Sequence, residues 1–237
     1  MFTTILFDLD NTLFDFNKAE GIALSKTLKG IGIEPTKAVI QRYSELNLAQ
    51  WKLLEQGKLT RERVKTRRYE LLFKELGVEY NAEKATGIYE SHLATGHYFI
   101  DGAEELLKKL SNANSYRLYL VTNGTKKVQD GRIASSGISQ YFEDIFISEE
   151  VGYNKPSLEY FEACFARIPD FHKEKTVIIG DSLTSDIQGG MNAGITTIWF
   201  NRHHEKPFAC ENHSLPVPDY EIYALSELIP ILEGNNN

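Results

Sequence analysis

The stretch TILFDLDNT, residues 4–12, opens with an apolar run and ends in two aspartates, an asparagine and a threonine. Its first part, Thr4–Leu9, shows little regular alternation of polar and apolar residues, which is typical of a strand covered on both faces. Four further runs have the same character: Arg117–Val121, Asp144–Ile147, Thr176–Ile179 and Thr196–Phe200. Helical patterns separate the later runs, and strands that alternate with helices predict an α/β fold with a parallel sheet.

The segment from Phe14 to His97 has no convincing strand pattern and predicts several helices. Sequence breakers divide these helices: Gly30-Ile31-Gly32, Glu55-Gln56-Gly57 and Leu76-Gly77. Thr36, Thr60 and Asn81 are placed to cap their first turns. At about 80 residues the segment is much longer than a usual crossover. We therefore expect an all-helical domain over residues 15–97, inserted into a core of residues 1–14 plus 98–237, and placed to act as a lid.

The composition is that of an ordinary globular protein, with 42% hydrophobic residues among 237 and a formal net charge of −7. That charge disfavours a nucleic-acid polymer or an anionic membrane surface as partner. No apolar run approaches the ~18 residues that span a bilayer, and the N-terminus lacks a signal-peptide pattern. Cys164 and Cys210 have no metal or redox spacing, so we expect small buried residues in a reducing, cytoplasmic compartment.

Polar side chains follow the carboxyl ends of four predicted strands, and together they form four short motifs. The motifs are Asp8-Leu9-Asp10-Asn11-Thr12, Thr122-Asn123-Gly124, Lys155-Pro156, and Gly180-Asp181 with Asp186. Ligands of open α/β sheets bind at the carboxyl ends of the strands, so we expect these residues to meet in one crevice. Asp8 and Asp10 are two residues apart, which on a strand puts both side chains on the same side.

Several carboxylates at one sheet edge repel one another unless a cation lies between them. Oxygen ligands without a paired His or Cys select a hard ion, and Mg²⁺ fits best. The Thr122 hydroxyl, the backbone N–H groups of Asn123 and Gly124, and the Lys155 charge suit a phosphate group. One carboxylate could then attack phosphorus while a second handles protons. Each motif alone is weak evidence, because polar residues after a strand often only form turns or cap helices. Matching polar groups after four strands are hard to explain in that way.

These four motifs, in this order, resemble the signature motifs of the haloacid dehalogenase superfamily, and the helical insertion lies where that superfamily has its cap domain. The resemblance implies a Rossmann-like core with a helical cap. It also implies that Asp8 is the nucleophile and that Asp10 is the general acid/base. Mg²⁺ would be held by the Asp8 and Asp181 carboxylates and by the Asp10 backbone carbonyl.

The same resemblance implies roles for the remaining motif residues. Thr122, the Asn123 backbone and Lys155 would bind the phosphoryl group, with Lys155 neutralising charge during the reaction. Asp186 would orient Lys155 or metal-bound water. The superfamily's dehalogenases lack an acid/base carboxylate at the position of Asp10, so its presence favours a phosphatase that forms an aspartyl-phosphate.

A finer resemblance is to the YjjG-type pyrimidine 5′-nucleotidases. The segments that carry it are Phe14-Asp15-Phe16, residues 51–61, residues 96–103, Glu159-Tyr160-Phe161, Arg167-Ile168-Pro169 and residues 179–190. It implies a small-molecule phosphate ester as substrate, a pyrimidine nucleoside monophosphate above all. We expect a monomer or a homodimer, and the sequence does not choose between them.

Two alternatives stay open from the sequence. A phosphosugar phosphatase or mutase of the same superfamily shares all four motifs. A phospho-aspartate signalling module, such as a response-regulator receiver, also combines acids, a hydroxyl residue and a lysine on a parallel sheet. The acid at Asp10 and the long helical insertion argue against the signalling module.

Overall fold

The structure is a computed structural model that describes residues 1–205 and 216–234. Its contacts divide the chain into two compact units. One comprises Met1–Asp15, Tyr98–Lys126 and Ser136–Asn237, and we call it the sheet unit. The other comprises Phe16–His97 and Lys127–Ser135, and we call it the helical unit.

The sheet unit is built on a sheet that has six strands in the described part of the chain. They are β1 (Thr4–Phe7), β2 (Arg117–Thr122), β3 (Asp144–Ile147), β4 (Thr176–Gly180), β5 (Thr196–Phe200) and β6 (Tyr220–Ile222). Every neighbouring pair is parallel, in the order β3-β2-β1-β4-β5-β6. All residues of the two central strands, β1 and β4, are buried. The predicted α/β class is confirmed, and the strand order puts β1 between the strands that carry the second and fourth motifs.

The strand boundaries correct three details of the prediction. The first strand ends at Phe7, so Asp8 and Asp10 lie beyond it and the argument from strand periodicity does not apply to them. Strands β2 and β4 each extend one residue further than predicted. The sequence analysis missed β6, because three residues at the edge of the sheet, of which only Ile222 is buried, give no periodic signal.

The described α-helices span both units. They are α1 (Phe16–Gly30), α2 (Lys37–Glu55), α3 (Arg61–Leu76), α4 (Ala82–Leu93), α5 (Ala103–Asn112), α6 (Lys126–Ser136), α7 (Ser148–Val151), α8 (Leu158–Phe165), α9 (Gln188–Ala193) and α10 (Leu228–Glu233). None of the helices among the described residues combines the length and apolar character that crossing a membrane would need. Cys164 is buried on α8, as expected, whereas Cys210 lies outside the described residues.

The helical unit contains α1 to α4 and most of α6, and α1, α2 and α3 each end at one of the three predicted breakers. The side chains of Thr36, Thr60 and Asn81 accept hydrogen bonds from main-chain N–H groups in the first turns of α2, α3 and α4. Gly77 ends α3 with a left-handed φ of 64°, a conformation that costs a residue with a side chain more than glycine. Local capping signals therefore fix the boundaries of these helices.

Candidate active site

Lys155 is the centre of a buried charge cluster at the carboxyl ends of β1, β2 and β4. Its Nζ donates hydrogen bonds of 2.7 Å to Asp8 Oδ1 and 2.7 Å to Asp186 Oδ1. A third, of 2.9 Å, goes to the carbonyl oxygen of Val121. An ammonium group has three protons, so all of its donors are satisfied in this arrangement. The Lys155 side chain is only 1% exposed.

Three carboxylates crowd around this ammonium group. Asp8, Asp181 and Asp186 each place one oxygen within 4.8 Å of the other two. Burial, together with the charges of Asp186 and Asp10, raises the pKa of Asp8 to about 7 against the attraction of Lys155. Burial also raises the pKa of Asp181 well above its ordinary value, as does the neighbouring charge of Asp8. With all three carboxylates ionised, the cluster would carry more negative charge than one ammonium group balances, and the raised pKa values reflect this cost.

This imbalance is what a divalent cation would correct. The donors are carboxylate oxygens, which hard ions such as Mg²⁺ prefer, and their mutual distance lets one ion contact more than one of them. Asp186 is the most engaged of the three, because Oδ1 accepts from Lys155 and Oδ2 accepts from the Ser182 N–H at 3.1 Å. The residues present thus fit a bound divalent cation.

The sheet positions Asp8 directly. Asp8 is the residue after β1, and its N–H donates to the carbonyl of Ile179 at 2.9 Å, which continues the ladder with β4 by one step. The chain then turns, since the N–H groups of Leu13 and Phe14 both donate to the carbonyl of Leu9. Asp10 lies in this turn and is half-buried.

The main chain of Lys155 is held by the side chain of Asn123. The amide Nδ2 of Asn123 donates to the Lys155 carbonyl at 2.8 Å, and the Lys155 N–H donates to Asn123 Oδ1 at 2.8 Å. The motif after β2 therefore fixes the lysine that follows β3. Sequence reasoning gave Asn123 a role only through its backbone and missed this side-chain contact.

Thr122 is the last residue of β2 and is buried. Its hydroxyl accepts a hydrogen bond of 3.2 Å from the N–H of Gly124. Helix α6 begins two residues later, at Lys126. The loop of Thr122, Asn123 and Gly124 thus adjoins both the buried lysine and a helix N-terminus, where an anion is favoured.

Gly180 allows Asp186 to approach the sheet. A Cβ at residue 180 would overlap the Asp186 side chain, so any other residue here would displace that carboxylate. Asp186 lies in a single wide helical turn, Leu183–Ile187, that precedes α9. The glycine of the fourth motif is therefore required by packing against its own aspartate.

A second contact that sequence reasoning missed involves Trp199 of β5. Its indole N–H donates a hydrogen bond of 2.8 Å to the carbonyl of Asp181. The one available signal was that a buried tryptophan normally needs a partner for its N–H. The pattern of an apolar strand does not say which partner that is.

Comparison with known proteins gives consistent findings. The family model described as haloacid dehalogenase-like hydrolase matches residues 5–200. The chain is 42% identical over 231 residues to the pyrimidine 5′-nucleotidase PynA of Streptococcus pneumoniae, covering 98% of this chain and 95% of that protein. It is 29% identical over 229 residues to the pyrimidine 5′-nucleotidase YjjG of Escherichia coli, covering 96% of each.

A solved structure is similar over nearly the same length. The putative HAD-hydrolase YfnB from Bacillus subtilis, bound to magnesium, is 42% identical and covers 98% of each chain, with a TM-score of 0.90. The similarity therefore extends over nearly the full length of the chain and is not limited to one of the two units.

Proposed function

Since the chain belongs to the haloacid dehalogenase-like hydrolase family and is a hydrolase, we propose that it is a Mg²⁺-dependent phosphomonoesterase acting on pyrimidine nucleoside monophosphates. The observation that carries the proposal is the buried Lys155 ammonium, bonded at once to Asp8 and Asp186 with Asp181 beside them. The excess of carboxylate charge suits a bound cation, and that cation together with the Lys155 ammonium would attract the oxygens of a phosphoryl group.

Asp8 is the proposed nucleophile. Burial raises its pKa, and the Lys155 ammonium, 2.7 Å from one of its oxygens, opposes that rise and so favours the ionised form needed for attack. Attack by an Asp8 oxygen on phosphorus forms the aspartyl-phosphate and breaks the ester bond to the leaving group. Lys155 neutralises charge on the nucleophile and on the transferring group, and Asp186 keeps that ammonium in place.

Asp10 is the proposed general acid and base. In the first step it gives a proton to the leaving oxygen, and in the second it takes a proton from the water that attacks the aspartyl-phosphate. The products are the alcohol, inorganic phosphate and regenerated Asp8. The position of Asp10 in the turn beside Asp8 supports this role, because both carboxyls must serve the same phosphorus atom.

The carboxylates of Asp8 and Asp181 and the carbonyl of Asp10 are the proposed ligands of Mg²⁺, which supplies charge stabilisation of the transferring phosphoryl group when bound. Thr122 and the Asn123 backbone are the proposed phosphoryl contacts. The reciprocal hydrogen bonds between Asn123 and Lys155 support a shared site, since they tie the two motifs together.

The substrate class rests on the relatives. PynA and YjjG are both named pyrimidine 5′-nucleotidases, and the chain matches each over almost its full length. The action of the helical segment 15–97 as a lid, the cytoplasmic location and the monomeric or dimeric state stay predictions.

The test is a phosphate-release screen of the full chain across pyrimidine and purine nucleoside monophosphates and sugar phosphates, with Mg²⁺ and with a chelator. We expect the fastest release from pyrimidine nucleotides with Mg²⁺. Asp8→Asn is expected to lower release by more than about 10³-fold, because an amide is a poor nucleophile. The matched control is Asp101→Asn, an exposed aspartate of the sheet unit that should remain active.

Two results would contradict this function. Release that survives in Asp8→Asn, or in excess chelator, would rule out the assigned chemistry. Conversion of a sugar 1-phosphate to an isomer without free phosphate would identify a mutase, and a long-lived phospho-Asp8 without turnover would identify a signalling module.

A further inference from the structure

Both main-chain polar groups of Asp181 are held by side chains from distant parts of the chain. The indole N–H of Trp199 donates to the Asp181 carbonyl at 2.8 Å. The N–H of Asp181 donates to the hydroxyl of Thr12 at 3.1 Å. Trp199 and Thr12 are both buried, so water does not compete strongly for either bond.

Asp181 needs this support because of where it lies. Strand β4 ends at Gly180, so Asp181 is one residue past the strand. Its carboxylate lies close to those of Asp8 and Asp186, and like charges at that distance repel. Without fixed contacts on its main chain, rotation about the backbone would carry the carboxylate away from the other two.

The position of Trp199 follows from the register of the sheet. Trp199 of β5 pairs with Gly180 of β4, so its side chain starts beside the residue that precedes Asp181. From there an indole is long enough to reach the carbonyl of Asp181. Unlike the ring of phenylalanine, it has an N–H group that can donate a hydrogen bond. Phenylalanine at this position would fill similar space without making the bond.

We infer that Trp199 and Thr12 are positioning residues for the divalent-cation site: by holding the carbonyl and the N–H of Asp181 they together keep the Asp181 carboxylate facing Asp8 and so raise the affinity for Mg²⁺. The inference rests on the proposed function, which makes Asp8 and Asp181 ligands of the ion. Groups that orient a metal ligand typically change affinity by about 10-fold to 100-fold.

The test is Trp199→Phe in the full chain, with Mg²⁺ binding measured by calorimetry in the absence of substrate. We expect binding to weaken by about 10-fold or more. The Mg²⁺ concentration for half-maximal phosphate release should rise by the same factor, while release at saturating Mg²⁺ approaches that of the wild type. The matched control is Trp51→Phe, the same replacement on α2, which should bind Mg²⁺ as the wild type does.

A second variant keeps the test decisive if Trp199→Phe does not fold. Thr12→Val preserves the size of the side chain but removes the acceptor of the Asp181 N–H, so it should weaken Mg²⁺ binding in the same direction. Wild-type affinity in the folded Trp199→Phe, or in Thr12→Val where Trp199→Phe is unfolded, would overturn the inference, even if thermal stability falls. A wild-type chain that binds no Mg²⁺ would overturn the proposed function itself, and the inference with it.

Discussion

Two buried clusters of charged side chains, one in each unit, differ in how their charge is balanced. In the sheet unit, three carboxylates adjoin one ammonium group. In the helical unit, the Glu20 carboxylate accepts from Asn47 at 2.7 Å and from Ser44 at 2.6 Å. Asn47 in turn accepts from the Arg68 guanidinium at 2.7 Å, so one negative and one positive charge share a bridging amide.

The surroundings of the two clusters differ as well. The Arg68 guanidinium carbon lies 4.8 to 5.9 Å from the centres of three buried tyrosine rings, those of Tyr43, Tyr69 and Tyr89. Such ring faces stabilise the guanidinium cation, but they present neither the oxygen ligands that Mg²⁺ prefers nor N–H donors for a phosphate. The charges of the helical cluster thus balance one another, whereas the sheet cluster has a surplus of negative charge when its carboxylates are ionised. A buried surplus of charge costs stability, and a bound ligand can recover that cost.

The strongest way to break the sheet cluster is to remove its ammonium group. Lys155→Met should lower phosphate release by about 10²-fold to 10³-fold, since a preorganised positive charge is lost from the reacting group. It should also destabilise the fold by about 3–5 kcal/mol, because a buried ion pair loses one partner. Phosphate release and urea unfolding measure the two effects.

The control for this change is Lys108→Met, which removes an exposed lysine that pairs with Glu104 on α5 of the same unit. Its activity and unfolding midpoint should match those of the wild type. If Lys155→Met kept full activity, the charge cluster would not be the reacting site.

Substitutions in the helical cluster should change the stability of the fold and leave the affinity for Mg²⁺ unchanged. Arg68→Met is expected to cost about 3–5 kcal/mol, because it leaves Glu20 buried without a cation nearby. Adding Glu20→Gln should restore part of that loss, so the double variant is less destabilised than the sum of the single ones. Urea unfolding measures the cycle, and calorimetry should give unchanged Mg²⁺ affinity in all three. A fall in Mg²⁺ affinity would contradict the separation of roles.

Binding of Mg²⁺ should stabilise the folded chain, because the ion would balance the excess negative charge of the carboxylates in the sheet cluster. Mg²⁺ at a hundred times its dissociation constant should add about 2.7 kcal/mol, as for any ligand that binds only the folded state. For a chain of this size that corresponds to a rise in Tm of about 5–10 °C. Asp181→Asn should lose most of this rise, and Asp101→Asn should keep it. An equal rise in Asp181→Asn would place the ion elsewhere.

The sequence predicted what depends on topology and on local signals. Asp8 and Asp181 could be brought together without knowing any side-chain geometry, because parallel strands all end at one edge. The ends of α3 could also be predicted, because Thr60 and Gly77 are residue types that commonly cap the start and the end of a helix.

Contacts between residues far apart in the sequence could not be predicted in the same way. The bond from Trp199 to Asp181 depends on the register between β4 and β5, which an apolar run does not encode. A helical pattern, likewise, does not show that Glu20 and Arg68 would lie on the buried faces of α1 and α3 and meet through Asn47. Partners of buried polar groups are set by packing, and packing appears only in three dimensions.

The smallest expected effect concerns pH and the helical cluster. Burial raises the pKa of Glu20 from its ordinary value of 4.5, although Ser44, Arg68 and Asn47 oppose the shift. Between pH 4.5 and the higher pKa of the folded state, the folded chain therefore holds a proton at Glu20 that the unfolded chain has released, so the stability from this group falls as pH rises through its folded pKa. The difference in Tm between wild type and Glu20→Gln should decline over this range. The same difference for Glu62→Gln, an exposed glutamate on α3, should stay constant, and a wild-type advantage that grew with pH would mean that Glu20 is stabilised in its charged form.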